Sequence, residues 1–213
     1  MKTVLCYGDS NTWGYNAASG TRFPYKVRWT TRLGEFLGVD YRIIDEGLCG
    51  RTTVFDDPLT YGLSGLRLAE PIINSHNPID LVTVMLGTND CKGYFGATAQ
   101  NITEGLRRLI QHMQVLGVRN ILIITPIAID ARIYQTETAA VMGNGCSEKS
   151  KQLNEYYKAL ASELQLFHLN ANDFATVNTL DFMHFDEESQ ERFARALAAK
   201  IQVIFHIKSK ETF

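Results

Sequence analysis

Short apolar runs alternate with longer stretches of helical spacing along the chain. Five runs have the length and the β-forming content of buried strands, at residues 3–7, 41–45, 80–86, 120–124 and 166–169. Helical spacing marks residues 28–37, 66–76, 101–113 and 148–164, and a last helix that begins after Asp186. This alternation predicts an α/β protein with a central, mainly parallel five-stranded sheet covered by helices on both faces. No linker or low-complexity segment interrupts it, so we expect a single domain over residues 1–213.

Polar side chains follow three of the predicted strands, at the point where each strand ends. Ser10 comes after Gly8-Asp9, Gly50 lies in a loop that contains two glycines, and Asn89 follows Gly87-Thr88. The carboxyl ends of parallel strands line the edge of a sheet at which ligands bind. The sequence therefore predicts that these three loops surround one site.

Ser10 is the candidate nucleophile, because its hydroxyl is expected just beyond the end of the first strand. A simpler interpretation is an ordinary turn in which Asp9 or Ser10 only caps a helix. The Gly-x-Ser-x-Gly elbow of the α/β-hydrolases is not present, since Thr12 stands at its last position. The tripeptide alone leaves both interpretations open.

His184 lies in a loop ahead of the last predicted helix, for which Asp186 is the expected N-cap. Asp181 precedes His184 by three residues in the same turn. A serine hydroxyl is a weak nucleophile at neutral pH and needs a base to take its proton. His184 is therefore the candidate base, and Asp181 is the candidate acid that orients it. Asp173 is the alternative acid.

Composition and charge exclude several classes of partner. The net charge of −2 argues against nucleic acid or an anionic membrane, since both call for a basic patch. The first apolar run is too short for a signal-peptide core and no run reaches transmembrane length, so we expect a cytoplasmic protein. The four cysteines are widely spaced, and neither a metal site nor a cofactor motif is indicated.

Four short motifs resemble the SGNH hydrolases, the superfamily of GDSL esterases and lipases. The matching positions are Gly8-Asp9-Ser10, Gly50, Gly87-Thr88-Asn89-Asp90 and Asp181-x-x-His184. They span nearly the whole chain in the order of the family, which is far more specific than any one motif. Bacterial arylesterases and acyltransferases are the most similar subgroup, on the basis of Ser10-x-Thr12-Trp13-Gly14, Arg28-Trp29-Thr30, Glu46-Gly47-Leu48, Arg51-Thr52-Thr53, Asp56-Asp57-Pro58 and Met85-Leu86-Gly87. The chain departs from the GDSL motif at Asn11, where the family has leucine.

The resemblance implies a flavodoxin-like three-layer α/β/α sandwich and an esterase that works through a covalent acyl-enzyme. It implies a triad of Ser10, His184 and Asp181. It also implies an oxyanion hole formed by the backbone N–H groups of Ser10 and Gly50 and the side-chain amide of Asn89. Members of the subgroup form multimers, so the resemblance allows for a homo-oligomer.

We expect a small-molecule ester with a short, acetyl-type acyl group as the substrate. The candidate substrate-binding residues are Asp9, Asn11, Trp13 and Phe55. Three aromatic residues, Trp13, Tyr15 and Phe55, and the long segment 127–147 would keep the site apolar and so favour transfer of the acyl group to alcohols over hydrolysis.

Two alternatives remain open at this point. A carbohydrate acetylesterase would use the same triad, and a sugar ring could stack on Trp13, Tyr15 or Tyr25. A non-catalytic α/β binding module would keep the fold without the chemistry, although a binder has no need of the whole set of polar residues.

Overall fold

The structure, a computed structural model, describes residues 1–211, with side chains described through residue 207. Five strands form the central sheet: β1 (Lys2–Gly8), β2 (Tyr41–Gly47), β3 (Leu81–Met85), β4 (Ile121–Thr125) and β5 (Phe167–Asn170). Their order across the sheet is β2-β1-β3-β4-β5, and every neighbouring pair is parallel. This is the strand order of flavodoxin, which reverses direction between β1 and β3. The predicted five-stranded parallel sheet is confirmed.

Helices occupy the connections between these strands. They are α1 (Ser10–Trp13), α2 (Trp29–Leu37), α3 (Gly65–His76), α4 (Ala99–Val115), α5 (Thr138–Met142), α6 (Cys146–Glu163) and α7 (Glu187–Glu211). A short antiparallel hairpin pairs Tyr15–Asn16 with Thr21–Arg22. Within residues 1–211, no helix has the length and apolar character needed to cross a membrane.

Two hydrophobic layers hold the helices against the sheet. On one face, α3, α4 and α6 contribute Ile73, Leu106 and Leu153 to a core with the side chains of Val82 and Val84 in β3. On the other face, α2 and α7 contribute residues that include Trp29, Leu33, Phe193 and Leu197. Both layers are buried because β-strands covered on two faces expose few side chains to water. The α/β/α sandwich is therefore confirmed.

Local details agree with the sequence in part. Asp186 accepts a hydrogen bond from the Ser189 N–H at 2.7 Å, which makes it the cap of α7 as predicted. The segment 127–147 is more ordered than predicted, because it contains a 3₁₀ turn at Ala131–Gln135 and the short helix α5.

The register of the sheet sets the position of the site. Gly8, the last residue of β1, pairs with Gly47 of β2 and with Met85 of β3. The loops that leave these three strands therefore start at the same edge of the sheet, next to the point where the strand order reverses. A side chain at Gly47 would overlap the backbone of Trp13, so glycine is needed for α1 to pack against the end of β2.

Candidate active site

A hydroxyl, an imidazole and a carboxylate lie at this edge of the sheet, each within hydrogen-bond distance of the next. Ser10 Oγ lies 2.7 Å from His184 Nε2, and His184 Nδ1 lies 2.7 Å from Asp181 Oδ2. All three side chains are buried. Since an ionised carboxylate only accepts hydrogen bonds, His184 carries a proton on Nδ1 and leaves Nε2 to accept one from Ser10.

Hydrogen bonds within its own loop keep Asp181 ionised. Its Oδ1 accepts from the N–H groups of Met183 and His184, at 3.0 and 3.1 Å, and from the amide of Asn178 at 2.8 Å. Burial raises the pKa of Asp181, but the hydrogen bonds from His184 and Met183 outweigh burial and bring the pKa to about 2. The carboxylate is therefore charged whenever His184 is neutral.

Asn178 was not predicted from the sequence, and it organises this loop. Its side-chain oxygen accepts from the N–H groups of Leu180 and Asp181, at 2.8 and 3.0 Å. Its amide nitrogen donates to Asp181 Oδ1 and, at 2.9 Å, to the carbonyl of His184. An asparagine in a turn is ordinary, so the only signal in the sequence was its position three residues before Asp181.

Two further residues of the predicted site, Asn89 and Gly50, line the same cleft as Ser10. Asn89 is buried in the cleft, and one hydrogen of its amide is held by the carbonyl of Arg51 at 3.2 Å. The second hydrogen of that amide is available to a ligand. Gly50 has a φ of +86°, and a side chain there would lie 2.9 Å from Leu63, so glycine suits both the backbone and the space.

Buried polar groups fix these two loops to each other. Asp90, the residue after Asn89, accepts from the N–H of Thr53 at 2.9 Å and from the Thr53 hydroxyl. Arg51 is buried and donates to the carbonyl of Gly8 at 3.0 Å and to that of Glu46. The Gly50 loop is thus tied to the ends of β1 and β2, and the Asn89 turn is tied to the Gly50 loop.

The fold therefore brings Ser10, Gly50, Asn89, Asp181 and His184 to a single cleft. The model of the GDSL-like lipase/acylhydrolase family matches residues 6–202. The chain belongs to this family.

Solved structures of two esterases are similar to this GDSL-like protein over its length. A carbohydrate acetylesterase family member from Sinorhizobium meliloti is 34% identical, with a TM-score of 0.89 over 95% of this chain and 98% of that chain. An aryl esterase from M. smegmatis is 32% identical, with a TM-score of 0.87 over 95% of this chain and 99% of that chain. Comparison with curated protein sequences found no significant match. The protein is a carboxylic ester hydrolase with the SGNH fold.

The four residues predicted to contact substrate do not line the cleft of this GDSL-like protein. Asp9 has no exposed surface, and its Oδ1 accepts from the Asn11 N–H at 3.0 Å. Burial raises the pKa of Asp9 to about 6, against the opposing effect of that hydrogen bond. Asp9 therefore shapes the turn around Ser10 instead of presenting a group to the substrate.

Asn11, Trp13 and Phe55 have structural contacts of their own. The Asn11 oxygen accepts from the Phe185 N–H at 2.9 Å, which joins the Ser10 turn to the His184 loop. The Trp13 ring lies against the guanidinium of Arg22, and the Phe55 ring packs on Phe95 with 5.3 Å between the ring centroids. Asn11 is buried and Trp13 and Phe55 are half-buried, and with these contacts all three side chains lie outside the lining of the cleft.

The cleft itself has a volume of about 880 Å³. Tyr15 lies beside the base, with 4.4 Å between its ring centroid and that of His184. The residues that complete the lining are Ala17, Cys49, Thr60, Leu63, Lys92, Thr136, Glu137, Thr138, Val141, Met142, Leu180 and Met183. The segment 127–147 thus forms part of the cleft, as predicted, through α5 and the residues before it.

Two other features of the described residues lack the chemistry of an active site. A larger groove of about 1020 Å³ between α2 and α7 contains none of the four family motifs, so the chemistry lies in the smaller cleft. Among residues 1–211, no group of three or more His, Cys, Asp or Glu side chains is arranged to hold a metal ion. The four cysteines are free thiols.

Proposed function

We propose that the protein hydrolyses short-chain acyl esters through an acyl-enzyme on Ser10, with His184 as the general base and Asp181 as the residue that orients it. The observation that carries the proposal is the pair of 2.7 Å contacts from Ser10 to His184 and from His184 to Asp181. As Ser10 attacks the acyl carbon, its proton moves to His184 Nε2, and the carboxylate stabilises the imidazolium that forms. His184 then gives this proton to the departing alcohol.

The negative charge of the tetrahedral intermediate needs donors on the side away from His184. The backbone N–H of Ser10, the backbone N–H of Gly50 and the free amide hydrogen of Asn89 are the donors that we assign to it. Each such donor stabilises the transition state by about 2.7 to 4 kcal/mol. Water then attacks the acyl carbon, with His184 again taking a proton, and the carboxylic acid leaves with Ser10 restored.

Preference for a short acyl group is supported by the crowding beside Gly50. Leu63 is so near to Gly50 that a single added carbon would contact it at 2.9 Å. Leu63 also lines the cleft, so it takes up space beside the Gly50 donor that a longer acyl chain would need. The solved relative named an acetylesterase is consistent with this preference.

Transfer to alcohols is a further part of the proposal. Apolar side chains, among them Val141, Met142 and Leu180, line the cleft. Such a surface favours an alcohol over water because the alcohol buries its alkyl group there. With vinyl acetate in water and added alcohol, we expect a ratio of ester to acid above the ratio of alcohol to water. A ratio no higher than that of the concentrations would contradict transfer.

A sugar acetyl ester is the second candidate substrate. The Sinorhizobium meliloti relative supports it by name, and Tyr15 provides an aromatic ring beside His184 on the side of the leaving group. Turnover of acetylated xylan or acetylated oligosaccharides above that of aryl acetates would favour this candidate.

The oligomeric state of the protein and its location in the cell remain predictions from the sequence.

The decisive experiment compares the wild-type protein with Ser10→Ala on p-nitrophenyl acetate and its longer homologues. We expect kcat to fall by about a thousandfold or more in Ser10→Ala, since the nucleophile of a triad cannot be replaced by its neighbours. Equal rates in both proteins would overturn the assignment of Ser10. The order of rates along the homologues tests the preference for short acyl groups.

A further inference from the structure

A buried ion pair borders the cleft and has no part in the chemistry described above. Lys92 Nζ donates to Asp57 Oδ2 at 2.9 Å, and the Tyr94 hydroxyl donates to the same oxygen at 2.6 Å. The side chain of Asp57 is 1% exposed and that of Lys92 is 9% exposed. Burying two charges is unfavourable unless each is paired, so a buried ion pair adds little to the free energy of folding. We therefore interpret this pair as one that fixes the relative position of the two segments that carry it.

The pair joins two segments that are far apart in the sequence. Lys92 follows the turn that carries Asn89, and it lines the cleft. Asp57 lies in residues 54–63, which we call the wall loop because its Thr60 and Leu63 form one side of the cleft. The wall loop has no helix or strand of its own, so side-chain contacts must hold it.

Other contacts hold the two ends of the wall loop. Ser64 Oγ donates to the carbonyl of Val54 at 3.1 Å, and the Thr52 N–H donates to the carbonyl of Leu63 at 3.0 Å. In the middle of the loop, Asp57 makes the connection to the body of the protein. Its second oxygen accepts from the N–H of Leu59 at 2.9 Å, which fixes the turn that leads to Thr60.

Asp57 stays ionised over the pH range in which the enzyme would work. Burial raises the pKa of Asp57, but the hydrogen bonds from Tyr94 and Lys92 outweigh burial and lower the pKa to about 2. Because the pair is shielded from solvent, salt does not screen it as it would screen a surface pair. The ion pair therefore connects the wall loop to the Asn89 turn throughout this pH range, at low and at high salt concentration.

We propose that Lys92 and Asp57 are positioning residues that hold the wall loop at a fixed distance from the Asn89 turn and so limit the length of the acyl group. The consequence for acyl length rests on the function proposed above. The anchoring of the wall loop does not rest on it and is tested separately.

A neighbouring ion pair provides the matched control. Asp56, the residue before Asp57, pairs with Arg67 at 2.6 Å, but these side chains are 61% and 74% exposed. An exposed ion pair of this kind contributes little to the free energy of folding. Lys92→Met and Arg67→Met each remove one cation that pairs with the wall loop, and only the first removes a buried one.

The first measurement is hydrogen exchange of the backbone amides of residues 57 and 59–62, since Pro58 has no amide hydrogen. We expect exchange at least about tenfold faster in Lys92→Met than in the wild type, because a loop that loses its anchor opens locally. Exchange should be unchanged in Arg67→Met and largely restored in Lys92→Arg. Equal exchange in Lys92→Met and the wild type would overturn the anchoring. If Lys92→Met does not fold, Asp57→Asn is measured in its place.

The second measurement is the ratio of kcat/KM for p-nitrophenyl octanoate to that for p-nitrophenyl acetate. We expect this ratio to rise about tenfold in Lys92→Met, mainly through KM, since a relaxed wall admits the longer chain. Arg67→Met should keep the wild-type ratio. Faster exchange with an unchanged ratio would overturn the limit on acyl length, whereas a wild type that turns over neither ester would contradict the proposed function instead.

Discussion

Asn178 donates one amide hydrogen to the carboxylate of Asp181 at 2.8 Å and the other to the carbonyl of His184 at 2.9 Å. A single neutral side chain thus sets the distance between the candidate acid and the main chain of the candidate base. Both hydrogens of the amide and its oxygen are used within one loop, so substitution removes one donor to Asp181 and the side-chain acceptor of the Leu180 and Asp181 N–H groups.

Substitution of Asn178 should affect activity in a way that depends on pH. In Asn178→Asp, a protonated carboxyl group can donate to Asp181 as the amide does, whereas an ionised one repels Asp181. We therefore expect the ratio of variant to wild-type kcat/KM to fall as the pH rises from 5 to 8. Asn178→Ala should lose about a hundredfold at every pH, since displacement of a catalytic group by about 1 Å has that effect. Parallel pH profiles for the two variants would contradict this role.

The acid that orients His184 can be identified by comparing two aspartates. Asp181→Asn should lower kcat by about four orders of magnitude, because the amide favours the wrong tautomer of the histidine. Asp173, the alternative acid, is exposed and accepts from the Asn170 amide at 2.9 Å, away from His184. Asp173→Asn is therefore the control and should keep the wild-type rate. A large loss in Asp173→Asn together with a small loss in Asp181→Asn would reverse the assignment.

Removal of the Asn89 amide tests the oxyanion site. Asn89→Ala should reduce kcat by about a hundred- to a thousandfold while KM changes little, because the donor acts on charge that develops only in the transition state. Steady-state kinetics with p-nitrophenyl acetate give both constants. If KM rose and kcat stayed the same, Asn89 would be a binding residue and not an oxyanion donor.

Because of Asp90, the free energy of unfolding of the protein should fall as the pH rises. Burial raises the pKa of Asp90 to about 6, outweighing the hydrogen bonds from Thr53, whereas its ordinary value is 3.8. Between these values the folded protein keeps a proton that the unfolded chain has released, so the free energy of unfolding falls across this window. We expect the wild type to lose about 1 to 3 kcal/mol more than Asp90→Asn between pH 4 and pH 7.

Urea unfolding of the wild type and Asp90→Asn at several pH values between 4 and 7 measures this difference directly. Asp9, whose pKa is also raised to about 6, has the same direction of effect in both proteins. Because the charge of Asp9 also raises the pKa of Asp90, the difference between the proteins measures Asp90 together with this interaction. Equal pH dependence in the two proteins would show that Asp90 is not the source.

The sequence predicted the secondary structure well where the signal is local. Each of the five strands was located within two residues of its observed ends, since β-branched runs of this length fit a sheet covered on both faces. The order of the four motifs then led to the family and to the residues that now lie together: Ser10, Gly50, Asn89, Asp181 and His184. Their assignment to catalytic steps stays a proposal.

The four candidate substrate-binding residues, Asp9, Asn11, Trp13 and Phe55, lie outside the lining of the cleft, because the direction of a side chain depends on tertiary contacts. Asn11 follows Ser10 directly, yet it is turned inward to the N–H of Phe185. Leu63 and Lys92 lie 53 and 82 residues beyond Ser10, and both line the cleft. No local pattern marks such residues.

The sequence by itself determined the alternation of strands and helices, the parallel sheet and the set of polar residues at its edge, because periodicity and strand ends are local properties. Only the tertiary structure decided which side chains face the cleft and which hold its loops in place. The contact of Lys92 with Asp57 and that of Asp90 with Thr53 join residues 35 and 37 positions apart. Contacts of this kind arise when the sheet brings separate loops together, and their energy depends on burial that no short stretch of sequence contains.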